Sequence, residues 1–544
     1  MYEEIINRWK IANPLGCHFL GLHEYDGKLP NISEQFIKER GSEIREDLNK
    51  LNTMTIPEDK FEQFEYGLVK SQLEEELFEL EVRQEFRDNP VIAVFPLAII
   101  EMSYTARSFA PIEERVKSIV EFEKGIPLFL EQVDSLLNDS LPAAKIMMAI
   151  QFLGGIMNYY KDQLITFITK IDDENLINDW SEYNIKAVKS METYLNKLQT
   201  VYLPKAHNNF ALGPEKFAEL LEKTEGVNMD LDVLLKIGED DLERNYQSML
   251  KLADELTEGD VDKLMRIVKN DIPTPETLVT DVEATLHRTR KFLVDKNIVS
   301  IPTEEQTTVI HTPEFARSFA FAAMSTPGPF EVEEASEAYY WITPPNANWP
   351  VERQTKFLEF FNKPFLEIVT IHEVWPGHYL QLLYNKKAKS DIAKMFSRST
   401  AMIEGWGHYV EEMIYAVGYE PFDRKMLHVG QLLGALQRNV RYVSAIKMHC
   451  KGMTAEESKQ LFMEKSFLGE DNAIMESNRG TIDPMYLNYT LGKLMIKKLR
   501  DDYRKEKGDN FNLKEFHDTL LSFGSPPITV LRNLILENPE GEIV

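Results

Sequence analysis

Two stretches of the sequence gather imidazoles and carboxylates at spacings that can hold a metal ion. The first is Ile368-Val-Thr-Ile-His372-Glu373-Val-Trp-Pro376-Gly377-His378-Tyr-Leu-Gln381. In the common zinc-peptidase motif, His-Glu-x-x-His, two imidazoles four residues apart share one helix face. The Glu after the first His then stands ready to take a proton from water. Here the second His comes six residues on, and six steps of about 100° turn a regular helix by roughly 240°, so the two rings would diverge. Pro376 cannot donate to the carbonyl of His372, and Gly377 tolerates a distorted backbone. A two-residue bulge at Pro376-Gly377 is therefore the expected device for returning His378 to the place of a second ligand.

The second stretch is Ala401-Met-Ile-Glu404-Gly-Trp406-Gly-His408-Tyr-Val-Glu411-Glu412-Met413. On a helical wheel Glu404, His408 and Glu411 fall within about 60° of one another, with Ile403, Trp406, Val410, Met413 and Ile414 opposite. Gly405 and Gly407 each cost a helix about 1 kcal/mol relative to Ala, which implies close packing or backbone approach. Glu404 is the simplest third ligand. Taken alone, Glu404 and His408 read as well as a solvated i,i+4 pair, and His372-Glu373 as a structural pair. Together they place two His and a Glu on consecutive helices, in a chain with 11 His.

At these residues the chain resembles the family called domain of unknown function 885, helical proteins placed among the zinc metallopeptidases. Its hallmark His-Glu-x-x-Pro-Gly-His-x-x-Gln stands as His372, Glu373, Pro376, Gly377, His378 and Gln381. Its second signature stands as Glu404, Gly405, Trp406, Tyr409 and Glu411, the last a better match than Glu412. Arg441 and His449 fit a later Arg…Asp…His run, with Ala445 in place of Asp. Arg479 and Tyr489 to Gly492 fit another block, whose Pro-Gly-Gln is replaced by Pro484-Met485-Tyr486.

The family is similar, at a distance, to thermostable carboxypeptidases, thimet oligopeptidase and angiotensin-converting enzyme. That resemblance implies a mainly helical, two-lobed body with a deep cleft and zinc on its floor, one ion per chain, held by His372, His378 and Glu404. It implies Glu373, Tyr489 and Tyr486 as catalytic groups and Arg479 and Arg441 as substrate-binding ones. His408, Glu411, Gln381 and His449 would support the ligands. Core tyrosines, a surface arginine and a packed His408 are the plainer readings of the same positions.

The elements that must position these groups are mostly helices. Lys60–Asn89, Ile112–Leu137, Trp180–Leu198, Asp230–Leu256 and Thr274–Asp295 carry amphipathic periodicity, and Asn89-Pro90 is a stop signal. Between Asn297 and Pro350 the texture changes to short β-prone runs, Val299–Ile301, Thr307–His311 and Ala338–Thr343, separated by Pro-rich turns such as Ser325–Pro329. The expected layout is a helical part over 1–296, a small β-insert over 297–350 and a helical catalytic part over 351–544, together forming one compact unit. An edge strand in the insert would offer an extended peptide main-chain hydrogen bonds.

Composition narrows the class. Of 544 residues, 43% are apolar and 27% charged, which is a globular balance with a large core. A net charge of −27 repels phosphate backbones, and no local basic patch offsets it, so nucleic acid is not an expected partner. The start MYEEIINRWK, charged from its third residue, lacks a secretory pattern, and no apolar run approaches the roughly twenty residues of a bilayer crossing. With two cysteines, Cys17 and Cys450, there is no disulfide framework. A cytoplasmic protein is expected, with no membrane contact and its oligomeric state left open. There is no Gly-x-Ser-x-Gly elbow, phosphate-cradling loop or dinucleotide fingerprint. The expected activity is zinc-dependent hydrolysis of short peptides, carboxypeptidase- or oligopeptidase-like, with Glu373 as general base. The alternative is a degenerate member that binds peptides or a partner without turnover.

Overall fold

The computed structural model describes residues 2–313, 317 and 321–544; residues 314–316 and 318–320, within the predicted β-insert, lie outside the described residues. The chain forms two compact units. The first comprises Met1–Ile56, Val69–Phe210 and Pro327–Glu337; the second comprises Pro57–Leu68, Ala211–Thr326 and Ala338–Val544. The units interleave along the sequence. The segments 1–296, 297–350 and 351–544 therefore differ in secondary-structure texture and are not separate bodies.

Helices dominate both units, as the periodicity implies. In the first, helix Ile112–Leu136 buries Val116, Ile119, Val120, Phe122, Ile126, Phe129, Leu130 and Val133. That three-and-four spacing presents one apolar stripe to a core shared with helices Ala143–Asn158 and Glu174–Lys197. The helix from Lys60 is shorter than the sequence suggests. It runs to Phe78, widens into a π-turn over Glu79–Arg83, and stops where Gln84 takes a left-handed conformation (φ 49°) ahead of Asn89-Pro90.

The second unit carries the predicted motifs on α1 (Leu231–Thr257), α2 (Lys363–Glu373), α3 (His378–Lys386), α4 (Thr400–Ala416), α5 (Arg424–Cys450), α6 (Glu470–Ile482) and α7 (Asn488–Lys507). Its sheet has three strands in the order β1-β3-β2: β1 (Thr308–His311), β2 (Ala322–Ser325) and β3 (Tyr339–Ile342). β1 and β3 are parallel, and β2 pairs antiparallel with β3, setting Met324 opposite Tyr340. The insert is thus a small mixed sheet with β2 at an edge.

Close backbone approach brings the site helices together. A Cβ at Gly405 would stand 2.5 Å from Gly492 Cα, and one at Gly492 would stand 1.8 Å from the Ala401 carbonyl oxygen, so α4 and α7 cross glycine on glycine. A Cβ at Gly430 would stand 2.2 Å from the Pro364 carbonyl oxygen, which lets α5 approach α2 equally closely. α5 is buried on nearly every side, so its polar residues must be paired internally. Asn439 donates to Asp241 Oδ2 at 2.7 Å, and Lys493 Nζ reaches the same oxygen at 2.7 Å. This buried cluster ties α5, α1 and α7 into one frame around the motif residues. Removing one partner of such a buried pair typically costs about 3–5 kcal/mol.

Candidate metal centre

α2 ends on Glu373, immediately after His372, and α3 begins on His378. The expected bulge inside one continuous helix is not what forms. Val374 leaves helical geometry (φ −120°, ψ −76°), the Trp375-Pro376 peptide is cis, and Gly377 restarts the chain. A Cβ at Gly377 would stand 1.7 Å from the His372 carbonyl oxygen, so only glycine fits this reversal. The Trp406 indole donates to the Pro376 carbonyl at 2.8 Å, tying the break to α4. Two helix ends, rather than one bulged helix, bring the imidazoles to a centroid separation of 4.6 Å.

Glu404 completes the group. Its Oε2 lies 3.5 Å from His372 Nε2 and 3.3 Å from His378 Nε2. The rear nitrogen of His372, Nδ1, lies 2.7 Å from Glu411 Oε1. A carboxylate only accepts, so Nδ1 carries a proton, which leaves Nε2, beside Glu404, as the atom that can bind a metal. Two imidazole nitrogens and a carboxylate oxygen therefore converge, within 4.8 Å of one another. That donor set fits a zinc ion: two imidazoles and one carboxylate, with a coordination position left over.

Glu411 is itself held in place. It is fully buried, and Arg438 Nη2 lies 3.0 Å from its Oε1 while His408 Nδ1 lies 3.2 Å from its Oε2. Burial favours its neutral form, but Arg438 and the two histidines outweigh this and hold the carboxyl well below its usual range. Burial pushes His408 down to about 4, so it stays neutral beside Glu411. His408 thus touches the residue that orients His372, not the ligand atoms. Gln381 donates to the Met402 carbonyl at 3.1 Å, linking α3 to α4.

Glu373 leaves α2 toward the sheet. Its Oε2 accepts from the Met324 backbone N–H of β2 at 3.0 Å, and burial raises its carboxyl pKa, with neighbouring His378 and His372 opposing. Tyr489 of α7 lies against the His372 ring at 6.3 Å, nearly parallel. The guanidinium carbons of Arg441, Arg438 and Arg479 lie 5.0, 5.6 and 5.7 Å from its ring centre. Arg441 is clamped by Glu476 through two bonds of 2.7 Å, and Arg479 by Asp483 at 3.0 Å. In the same unit a cavity of about 600 Å³ is lined by Phe321, Trp349, Phe357, Phe360, Phe365 and Gln437, among others. Gln437 also donates to Glu476 at 2.9 Å, so the cavity borders the arginine cluster.

The family model described as "Bacterial protein of unknown function (DUF885)" matches residues 14–535. The chain belongs to that family. Two solved structures share its fold. One is a "putative lipoprotein of unknown function" from Shewanella oneidensis, with a TM-score of 0.83 and 22% identity over 98% of each chain. The other is a "putative lipoprotein" from Colwellia psychrerythraea, with a TM-score of 0.80 and 19% identity over 97% of this chain and 96% of that one. No curated protein matches the sequence.

The remaining motif residues of this DUF885 member divide in two. His372, Glu373, His378, Glu404, Glu411, His408, Tyr489, Arg441 and Arg479 form one connected neighbourhood. Tyr486 and His449 do not join it. The Tyr486 hydroxyl faces Met448 Sδ at 3.8 Å, and a Cβ at Gly480 would stand 2.2 Å from that hydroxyl. His449 Nε2 bonds the Gly480 carbonyl at 2.8 Å and its ring stacks on Phe217. Both are buried, His449 near the end of α5 and Tyr486 just before α7. The residues that sequence reasoning missed are Arg438, Glu476 and the Met324 N–H. Arg438 and Glu476 are single charges among several on their helices and carried no distinguishing signal; a backbone donor has none.

Proposed function

We propose that the chain is a zinc-dependent peptidase acting on short peptides, with His372, His378 and Glu404 as ligands. The observation that carries this reading is the convergence of His372 Nε2, His378 Nε2 and Glu404 Oε2, backed by the Glu411–Arg438 pair. Bound there, zinc would supply Lewis-acid polarisation of a peptide carbonyl and a more acidic water. Glu373 would take the proton from the attacking water and pass it to the leaving amine; its burial-raised pKa suits it to both transfers. The Met324 N–H fixes the carboxylate for that role. Tyr489 stands over His372 with three guanidiniums around its ring, a setting suited to binding developing negative charge or a substrate carboxylate. β2, as an edge strand, offers an extended peptide a pairing surface beside Glu373.

Peptide hydrolysis measured with added zinc and with a chelator tests this reading. Turnover that is lost on chelation and restored by zinc supports it; no turnover with zinc bound favours a peptide- or partner-binding protein. The inward-turned Tyr486 hydroxyl is the one observation on the side of that second reading. For the compartment, no helix among the described residues is long and apolar enough to cross a membrane. The cytoplasmic expectation and the lipoprotein descriptions of the two solved relatives point to different places, and cell fractionation distinguishes them.

A further inference from the structure

A second group of imidazoles and carboxylates comes together in the first unit, in residues the peptidase reading does not use. Helix Pro14–Leu20 carries His18, and the turn His23–Tyr25 carries His23 and leads into Asp26. The Asp26 carboxylate lies between the two rings, Oδ1 2.7 Å from His18 Nδ1 and Oδ2 3.0 Å from His23 Nδ1. The rear nitrogens are held from outside. His18 Nε2 lies 2.6 Å from Ser103 Oγ, and His23 Nε2 lies 3.1 Å from Glu331 Oε1. The rings are also fixed by stacking, His18 on Tyr104 at 4.6 Å and His23 on Phe109 at 4.2 Å. The Asp26 and Glu331 side chains are only 8% and 4% exposed, so two carboxylates sit largely out of water and require positive charge nearby.

Asp26 and Glu331 can only accept, so without an ion both nitrogens of His23 donate, Nδ1 to Asp26 and Nε2 to Glu331. The Ser103 hydroxyl can donate to or accept from His18 Nε2, while His18 Nδ1 faces the other oxygen of Asp26. An ion that displaces the Nδ1 protons would find two imidazole nitrogens and a carboxylate oxygen all within 4.8 Å of one another. We propose that His18, His23 and Asp26 form a second site for a divalent transition ion of the zinc class. Ser103 and Glu331 would act as the outer partners that orient metal-binding imidazoles. The chain would then take up two ions rather than the single one expected from sequence.

The site would join two segments far apart in sequence. Residues 327–331 pass so close to the end of the Pro14–Leu20 helix that a Cβ at Gly328 would stand 2.2 Å from the Leu20 carbonyl carbon. Gly21, at φ 83°, leaves no room for a side chain beside Glu331 N, and Phe330 N donates to the Leu20 carbonyl at 2.9 Å. An ion on His18, His23 and Asp26 orders His23, and His23 holds Glu331. The ion thus reinforces this junction.

The test uses the full chain carrying His378→Ala and Glu404→Gln, so that only ions outside the first site are counted. The protein is stripped with chelator, titrated with Zn²⁺ alone, dialysed and analysed for metal, with thermal unfolding followed in parallel. One retained zinc per chain and a higher unfolding temperature with zinc are expected. His23→Ala should lose that zinc, and so should Asp26→Asn, which keeps the shape and a hydrogen-bond acceptor if the alanine variant fails to fold. A background chain that retains no zinc overturns the proposal. So does zinc that survives Asp26→Asn in a folded protein. Neither outcome bears on peptide turnover at the first site.

Discussion

Gly407 lies against the imidazole of His372: a Cβ there would stand 2.6 Å from Cε1 and 2.8 Å from Nδ1. The glycine therefore makes the space in which His372 can reach Glu411 behind and Glu404 in front. Gly407→Ala should push the ring off both partners and weaken zinc binding by about 10–100-fold, the usual cost of losing an orienting contact. Gly405, two residues earlier, faces the α7 backbone instead. Gly405→Ala should lower the unfolding temperature, as an overpacked helix crossing costs about 1–3 kcal/mol. Zinc titration and thermal unfolding of the two variants check the contrast; equal zinc affinity in Gly407→Ala and wild type would contradict it.

Glu373 and Glu404 are given different duties by their partners. Glu373 accepts from a backbone N–H, whereas Glu404 faces two imidazole nitrogens. Glu373→Gln should keep zinc near wild-type occupancy while turnover falls on the order of 10²–10⁴-fold, because an amide cannot take the proton. Glu404→Gln should lose zinc as well as activity, since it removes a charged ligand. Metal content and peptide turnover, measured on both, decide the assignment. Full metal in Glu404→Gln with loss in Glu373→Gln would reverse the roles.

The grouping of His372, His378 and Glu404 was legible from residue types and spacings, once the three were considered together. The helical class and the small sheet were legible from periodicity and from the run of turn residues around Ser325–Pro329. What could not be read was how the backbone solves the six-residue spacing. A bulge and a break both call for Pro and Gly, and only the Gly377 contact with the His372 carbonyl separates them. The direction of the Tyr486 hydroxyl was not legible for a related reason: a helix-flanking tyrosine reads the same whether it faces a site or Met448. Arg438 escaped notice because its importance lies in Glu411, on another helix and 27 residues away.

The break also reverses an expectation that the bulge would support. If Pro376 and Gly377 were a looped-out excess, deleting both would restore His-Glu-x-x-His and be partly tolerated. With α2 ending at Glu373 and α3 starting at His378, the deletion removes the reversal itself and the Pro376 carbonyl that Trp406 holds. It should abolish zinc binding and lower the unfolding temperature. Gly377→Ala alone should do the same in part, through the clash with the His372 carbonyl. Deletion variants that bind zinc as wild type does would restore the bulge picture.

Away from the site, Glu123 makes the stability of the first unit depend on pH. It is fully buried on helix Ile112–Leu136, with Asn184 Nδ2 3.1 Å from Oε1 and no partner for Oε2 among the described residues. Burial pushes its pKa from 4.5 up to about 8, against weaker opposing contacts from Asn184 and Trp180. Between those two values the folded chain holds a proton that the unfolded chain has released. Stability should therefore fall as pH rises across that window, with a slope of at most about 1.4 kcal/mol per pH unit from this group. Below the lower value both states are protonated and the slope vanishes. Glu123→Gln keeps the shape and the neutral form at every pH, so its unfolding temperature should exceed that of wild type at pH 8 and match it near pH 4.5. Thermal unfolding of both proteins across that range checks this. Parallel pH profiles would mean that Glu123 is ionised in the folded chain and that Asn184 and Trp180 hold its charge.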